Sequence, residues 1–136
     1  MKKVLRNSLI AGVFTLVLFG CKKVEVMTPG EMLVGKWMIT SSELLGSVVP
    51  GDGSYLIFNA CSGTCTGADY KASDSSTGSF TYTLNSDATQ IDIEDETSVG
   101  GSYNYTWDIL ELTETDFRIT ASTVLGNLKI EMEKEE

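Results

Sequence analysis

Few side chains in this sequence can do chemistry, because its 136 residues include three cysteines and no histidine. Without histidine there is no Ser-His or Cys-His nucleophile pair and no imidazole ligand for a metal. The densest group of acids, Asp92, Glu94, Asp95 and Glu96, offers oxygen ligands for a hard cation. Asp92 and Glu94 alternate with isoleucines, as on a solvated strand face that passes into a charged loop, and we favour that interpretation. The composition therefore argues against an enzyme and predicts no metal and no cofactor.

The chain begins with a segment of the kind that directs export. Three basic residues precede an apolar run over residues 9–19, and Leu18-Phe19-Gly20-Cys21 ends it. This ending resembles a lipobox, in which a small residue stands directly before a cysteine that receives lipid. We expect residues 1–20 to be a cleaved signal peptide and Cys21 to carry acyl chains such as palmitate. A transmembrane anchor is the alternative, but the apolar run is shorter than the roughly 20 residues of a spanning helix.

The charge of the chain bears on its partners. Removal of residues 1–20, which carry three basic and no acidic side chains, would leave 116 residues and change the net charge from −9 to −12. An acidic surface argues against nucleic acid as a partner. It is also repelled by anionic headgroups, so lipid on Cys21 would supply the membrane attachment. Lys22 and Lys23 follow the cysteine, which favours the outer membrane and leaves periplasmic or surface exposure open.

The two remaining cysteines, Cys61 and Cys65, stand four residues apart in the segment CSGTC. An exported protein folds where disulfides form. We therefore predict that the two cysteines pair and hold a short loop in shape. A metal or redox pair is the alternative, but zinc would need further sulfur or imidazole ligands that the sequence does not supply.

Short β-strands are the elements predicted to position these residues. Up to eight are expected, at about residues 35–45, 53–60, 66–72, 78–85, 89–95, 102–112, 116–123 and 127–134. A capping box at Thr28-Pro29-Gly30-Glu31 predicts a short helical turn before the first of them. Apolar and polar residues alternate in most strands, which is typical of antiparallel strands around one core. The alternation breaks at Ile109-Leu110, where we expect a bulge or a strand that leaves the core.

Gly35-Lys36-Trp37 forms a G-x-W at the start of the first predicted strand. A strand of the type Tyr55-Leu56-Ile57-Phe58 and a late aromatic stretch, YTWDILELTETDFRI, come after it. In this order, and after a lipobox, these features resemble the small bacterial lipocalin-like lipoproteins. The resemblance implies an all-β, small antiparallel up-and-down β-barrel of about eight strands. It divides the chain into a signal peptide (1–20), a lipidated tether (21–30) and a lipocalin-like barrel (31–136).

The resemblance also implies a barrel that binds a small hydrophobic or aromatic ligand. The aromatic residues on alternating faces are the candidates to line it: Trp37, Tyr82, Tyr103, Tyr105 and Trp107. An eight-stranded barrel can instead be filled by its own side chains. The protein would then be a non-catalytic structural or protein-interaction module of the cell envelope. In classical lipocalins a late basic residue packs over the tryptophan, and Arg118 is the natural candidate, although the alternation places it on the outer face.

Overall fold

The computed structural model describes residues 25–61, 63–98 and 103–136. One short helix and nine strands lie in these ranges: α1 (Pro29–Leu33), β1 (Gly35–Leu44), β2 (Ser47–Pro50), β3 (Tyr55–Phe58), β4 (Cys65–Lys71), β5 (Ser76–Leu84), β6 (Gln90–Glu94), β7 (Thr106–Leu112), β8 (Asp116–Thr123) and β9 (Gly126–Lys134). The predicted signal peptide and Cys21 lie outside the described residues. In the described part of the chain, no helix has the length and apolar character needed to cross a bilayer.

The strands form one antiparallel sheet that closes on itself. From β3 to β9 each strand pairs with the next along the chain, and β9 returns to pair with β1. The first half of β1 pairs with β3 and its second half with β2. Because β9 occupies the other edge of β1, strands β2 and β3 share one edge. The result is a closed eight-stranded barrel with β2 as an extra strand, which confirms the predicted up-and-down architecture.

Strand β2 is the element that the sequence does not predict, since residues 46–52 are expected to be a link. A tight turn at Leu45 and Gly46 folds β2 back onto β1. Both residues have positive φ angles, 55° and 78°, which is the conformation of the two-residue hairpin turn usually formed by Asn-Gly or Asp-Gly. The Leu-Gly pair does not resemble such a turn in sequence, so the hairpin goes unrecognised.

The break in alternation on β7 is a bulge. The register between β7 and β8 shifts between Ile109 and Glu111. Leu110 is the extra residue and is 55% exposed, so Ile109 and Leu112 both pack against the core. A second shift, between Ile39 and Ser41 on β1, lets Ile39 and Ser42 both line the barrel interior.

The inward faces of the strands meet in a single core, as the alternation predicts. Its largest fully buried side chains are Trp37, Trp107, Phe58, Phe117, Leu33, Leu56, Ile91, Ile93, Ile119 and Met132. The two ends of the barrel differ. At one, here called the helix end, α1 places Leu33 in the core beside Trp37. At the other, here called the mouth, lie the β1–β2, β4–β5 and β8–β9 turns and the β6–β7 connection.

Candidate functional site: the barrel mouth

The helix end is sealed around Trp37. The capping box predicted at Thr28 and Glu31 is present and begins α1. The indole N–H of Trp37 donates to the Leu33 carbonyl at 2.7 Å, which ties the helix to β1. Lys134 Nζ lies 4.9 Å from the centroid of the Trp37 ring and donates to the Met32 carbonyl at 2.7 Å. Because the tryptophan is fully buried under its own cap, it does not line an open site at this end.

Lys134, and not Arg118, is therefore the basic residue over the tryptophan. Arg118 lies on the outer face of β8 and forms an ion pair with Glu111 of β7, as its position in the alternation predicts. The sequence carries a signal for Lys134. It continues the inward series of Ile130 and Met132 on β9, so a basic side chain at that position must enter the barrel end.

The five aromatic residues predicted to line a ligand site separate into different environments. Trp37 and Trp107 are completely buried, and Trp107 donates its indole N–H to the Tyr103 carbonyl at 2.9 Å. Tyr82 is buried and donates its hydroxyl to the Asn59 carbonyl at 2.7 Å. Tyr105 packs edge-on against Trp107, with ring centroids 5.8 Å apart, and borders a groove on the outer surface. Of the five, Tyr103 alone lines the cavity at the mouth.

Cys61 and Cys65 form a disulfide, as predicted, with an S–S distance of 2.01 Å and a Cα–Cα distance of 4.5 Å. The bridge lies at the start of β4, at the helix end. The Tyr82 hydroxyl is 3.4 Å from Cys61 Sγ. The bridged loop therefore packs against Tyr82, whose hydroxyl donates to the Asn59 carbonyl. The disulfide is thus a local constraint at the end opposite the mouth.

The mouth holds a cavity of about 240 Å³. Its lining is aliphatic on the β1 and β9 side and polar where residues 51–54 cross it: Ile39, Ser42, Val49, Pro50, Gly51, Asp52, Ser54, Tyr103, Leu128 and Ile130. Asp52 is held in place by accepting the Ser54 backbone N–H at 2.9 Å. The Ser54 hydrogen bonds lower the pKa of Asp52, which keeps this carboxylate charged at the cavity rim.

A buried polar cluster lies deeper in the same half of the barrel. Asp69 on β4 is 1% exposed, and among the described residues no group stands in hydrogen-bond geometry to either of its carboxylate oxygens. The Asp69 carboxylate has room inside the barrel because its cross-strand neighbour is Gly78, which has no side chain. A Cβ at that glycine would stand 2.5 Å from Asp69 Oδ1. The Glu96 side chain is also fully buried, with its Oε1 4.0 Å from Lys71 Nζ. Two acids and one base are therefore enclosed together.

Loop residues after β6 hold Glu96 in this position. Its carboxylate accepts the Ser98 hydroxyl and, at 2.8 Å, the Tyr103 backbone N–H. Burial raises the pKa of Asp69, and the nearby charge of Glu96 raises it further, while Ser98 and Lys71 oppose the rise. Burial also raises the pKa of the Tyr103 hydroxyl. The cluster connects the β6–β7 segment to the barrel wall beside the cavity.

Sequence reasoning missed this cluster. Asp69 falls on the inward series of β4 with Gly67 and Lys71, and a charged residue in such a series is the signal that could have revealed it. Glu96 is predicted to belong to a solvated acidic group, in which the face of Asp92 and Glu94 passes into a charged loop, and the structure instead turns it inward. The other members of that face border a shallow outer groove. Among the described residues, no group of three or more potential ligands is placed to hold a metal ion.

Comparison with known proteins agrees with this architecture. The model of the lipocalin-like domain family matches residues 33–119. Among solved structures, a redesigned β-barrel superimposes with a TM-score of 0.54 at 18% sequence identity, covering 79% of this chain and 96% of that one. A search of curated proteins found no match. The family match spans more than half of the chain, includes the G-x-W and strands β1 to β7, and ends within β8. The chain therefore belongs to the lipocalin-like domain family.

Proposed function

We propose that this protein is a lipid-anchored lipocalin-like lipoprotein of the cell envelope that binds a small hydrophobic or aromatic ligand in the mouth of its barrel. The observation that carries the proposal is the cavity of about 240 Å³ between the β1–β9 wall and Tyr103. Aliphatic side chains from Ile39, Leu128 and Ile130 supply apolar surface there, and Asp52 and Ser54 supply polar atoms at the rim. A mostly apolar lining with a few fixed polar groups is typical of small-molecule sites.

The size of the cavity limits the ligand. Small-molecule pockets usually measure about 300–1,000 Å³, and this one lies below that range. Bulky side chains, including Trp37, Trp107 and Phe117, fill the helix half of the barrel. The proposed ligand is therefore compact, or else inserts one end while the remainder stays outside the mouth.

The proposed anchor is lipid on Cys21 after removal of residues 1–20, with the outer membrane as the favoured location. The support for it is the basic, apolar and lipobox order at the N-terminus. Mass spectrometry of the protein extracted from membranes tests the lipid, since acylation of Cys21 gives a defined mass increase. Protease treatment of intact cells then distinguishes a surface-exposed barrel from a periplasmic one.

A screen of the folded protein by thermal shift and native mass spectrometry tests the ligand. We expect a member of the lipid, haem or bile-acid-like classes to raise the melting temperature, because a ligand at 100 times its Kd stabilises by about 2.7 kcal/mol. Ser42→Leu, which adds volume at the cavity wall, should abolish the shift. Thr83→Leu, on the exposed face of β5, is the matched control and should retain it. Failure of every compound to bind would refute the proposal.

The alternative function, a structural or interaction module with a filled barrel, has its own support in the packed helix half. It predicts that the cavity has no role. Complementation of a deletion strain separates the two functions. The Ser42→Leu variant restores the wild-type phenotype if the barrel is only structural, and fails to restore it if the mouth must hold a ligand.

A further inference from the structure

Two adjacent hairpin turns at the mouth display aliphatic side chains to solvent. We call this surface the aliphatic tip, and its exposed members are Leu45, Val124 and Leu125 on the turns and Val49 on the adjoining strand β2. The turns lie side by side, because Leu44 pairs with Leu128 across β1 and β9. Leu45 Cδ2 also lies 2.6 Å from the place where a Cβ on Gly126 would stand. The two turns therefore form one continuous apolar surface.

The conformation of Leu45 is unfavourable on two counts. Its φ of 55° lies in the left-handed region, which is costly for a leucine, and its side chain is 76% exposed. Asparagine at this position would suit both the turn and the solvent. Leu45 therefore costs free energy both in its backbone conformation and in the exposure of its side chain to water. We take this cost as a sign that the side chain contacts something other than the rest of this chain.

The aliphatic tip is also uncharged over an unusual length. Residues 44–51 and 119–128 contain no charged side chain, in a chain whose net charge is −9. These segments also contain no aromatic residue and no arginine, the residue types that dominate protein–protein hot spots. Four aliphatic side chains fall well short of the roughly 20–30 residues that each partner contributes to a stable protein interface. The surface is small, aliphatic and uncharged. Its chemistry therefore matches the hydrocarbon of a lipid bilayer better than it matches the surface of a protein partner.

We infer that the aliphatic tip inserts into the apolar region of a lipid bilayer and so orients the mouth toward the membrane. Seven residues lie between Cys21 and Pro29, so eight Cα-to-Cα steps give a maximum reach of about 28 Å at about 3.5 Å per step. The ten residues of β1 span about 33 Å along the strand and about 25 Å along the axis of a barrel with the usual strand tilt. This step rests on the proposed lipid anchor: a chain held at Cys21 can place its tip on the same bilayer.

Site-specific fluorescence on the full chain tests this inference. An environment-sensitive dye is attached at Val124→Cys, on the exposed β8–β9 turn, and in a second sample at Ser86→Cys, on the exposed β5–β6 turn of the helix end. Each protein is mixed with phosphatidylcholine vesicles that contain lipid-bound quencher. We expect a blue shift and several-fold stronger quenching for the dye at position 124 than for the dye at position 86.

A second variant separates the role of the tip from that of the dye. Leu45→Asn favours the turn conformation and removes one aliphatic side chain, and it should lower the quenching at position 124 several-fold while the protein stays folded. The inference is overturned if both dyes remain in water, whether or not the protein binds the vesicles, or if both are quenched equally. It is also overturned if the dye at position 124 shifts without lipid in a concentration-dependent way, because a second copy of the chain would then cover the tip.

Discussion

Lys134 Nζ lies 4.9 Å from the centroid of the Trp37 ring and simultaneously donates to the Met32 carbonyl at 2.7 Å. The last strand of the barrel is thereby joined both to the first strand and to the helix that covers its end. Partial burial of the ammonium group in these contacts lowers the pKa of Lys134. One side chain thus closes the helix end around the G-x-W motif.

Lys134→Met should destabilise the fold by about 1–2 kcal/mol, because it removes a hydrogen bond from a charged donor and a cation–π contact. Urea denaturation monitored by tryptophan fluorescence measures the loss. Lys129→Met is the matched control. It removes a partly exposed ion pair with Glu131 on the same strand, which is worth at most about 1 kcal/mol. Equal stability of the two variants would contradict the role given to Lys134.

Asp69→Asn should stabilise the protein at neutral pH. Burial raises the pKa of Asp69 in the folded chain above its ordinary value of 3.8, so the folded state binds this proton more tightly than the unfolded state does. The resulting cost is absent below the unfolded pKa and grows as pH rises toward the folded pKa. The advantage of Asp69→Asn should therefore vanish near pH 3 and increase toward neutral pH.

Unfolding free energies measured in urea across that pH range check the Asp69 prediction. Glu94→Gln neutralises an exposed acid on β6 and serves as the control for a general change in net charge. A variant of Asp69 that is less stable than the parent at neutral pH would show instead that the buried charge is compensated by Lys71.

Leu45→Asn should stabilise the isolated protein by about 0.5–1 kcal/mol, because asparagine tolerates the left-handed conformation better than leucine does. Leu125→Asn is the comparison: that leucine is similarly exposed on the neighbouring turn, and its φ is not positive. It should change stability little. Melting temperatures measured in lipid-free buffer test the pair, and a loss of stability in Leu45→Asn would remove the argument from backbone strain.

Removal of the disulfide by Cys61→Ser with Cys65→Ser should cost about 2 kcal/mol, as chain-entropy estimates give for so short a loop. Chemical denaturation with and without a reducing agent checks this. Reductant should lower the stability of the parent protein to that of the double variant and leave the double variant unchanged. A parent protein insensitive to reductant, with the bridge shown to be open, would refute the prediction.

The fold is largely predictable from the sequence because burial on one face of a strand imposes a period of two. That period places Phe80, Ile91 and Ile119 inward without any knowledge of the structure. It also reveals the bulge at Leu110, since one inserted residue shifts the phase. The order of strands then needs only short antiparallel connections.

The site is less predictable because its members come from places where local pattern does not decide orientation. Glu96 turns inward where the Ser98 hydroxyl and the Tyr103 N–H are placed to donate to it, which the local pattern does not reveal. The hairpin at Leu45 depends on a rare backbone conformation for leucine. Asp69 and Lys134 do lie on inward series, and their placement could be predicted if charged residues in such series were weighed as strictly as apolar ones.

The pairing of both β2 and β3 with one edge of β1 bears on aggregation when many copies of the chain are crowded together. Closure of β1 on β9 removes the open sheet edges on which neighbouring molecules template fibrils. Among the described residues, the outer edge of β2 has no strand paired to it, and it is four residues long with proline at its end. Since proline lacks the N–H that a templated strand requires, we expect this short edge to disfavour edge-to-edge aggregation.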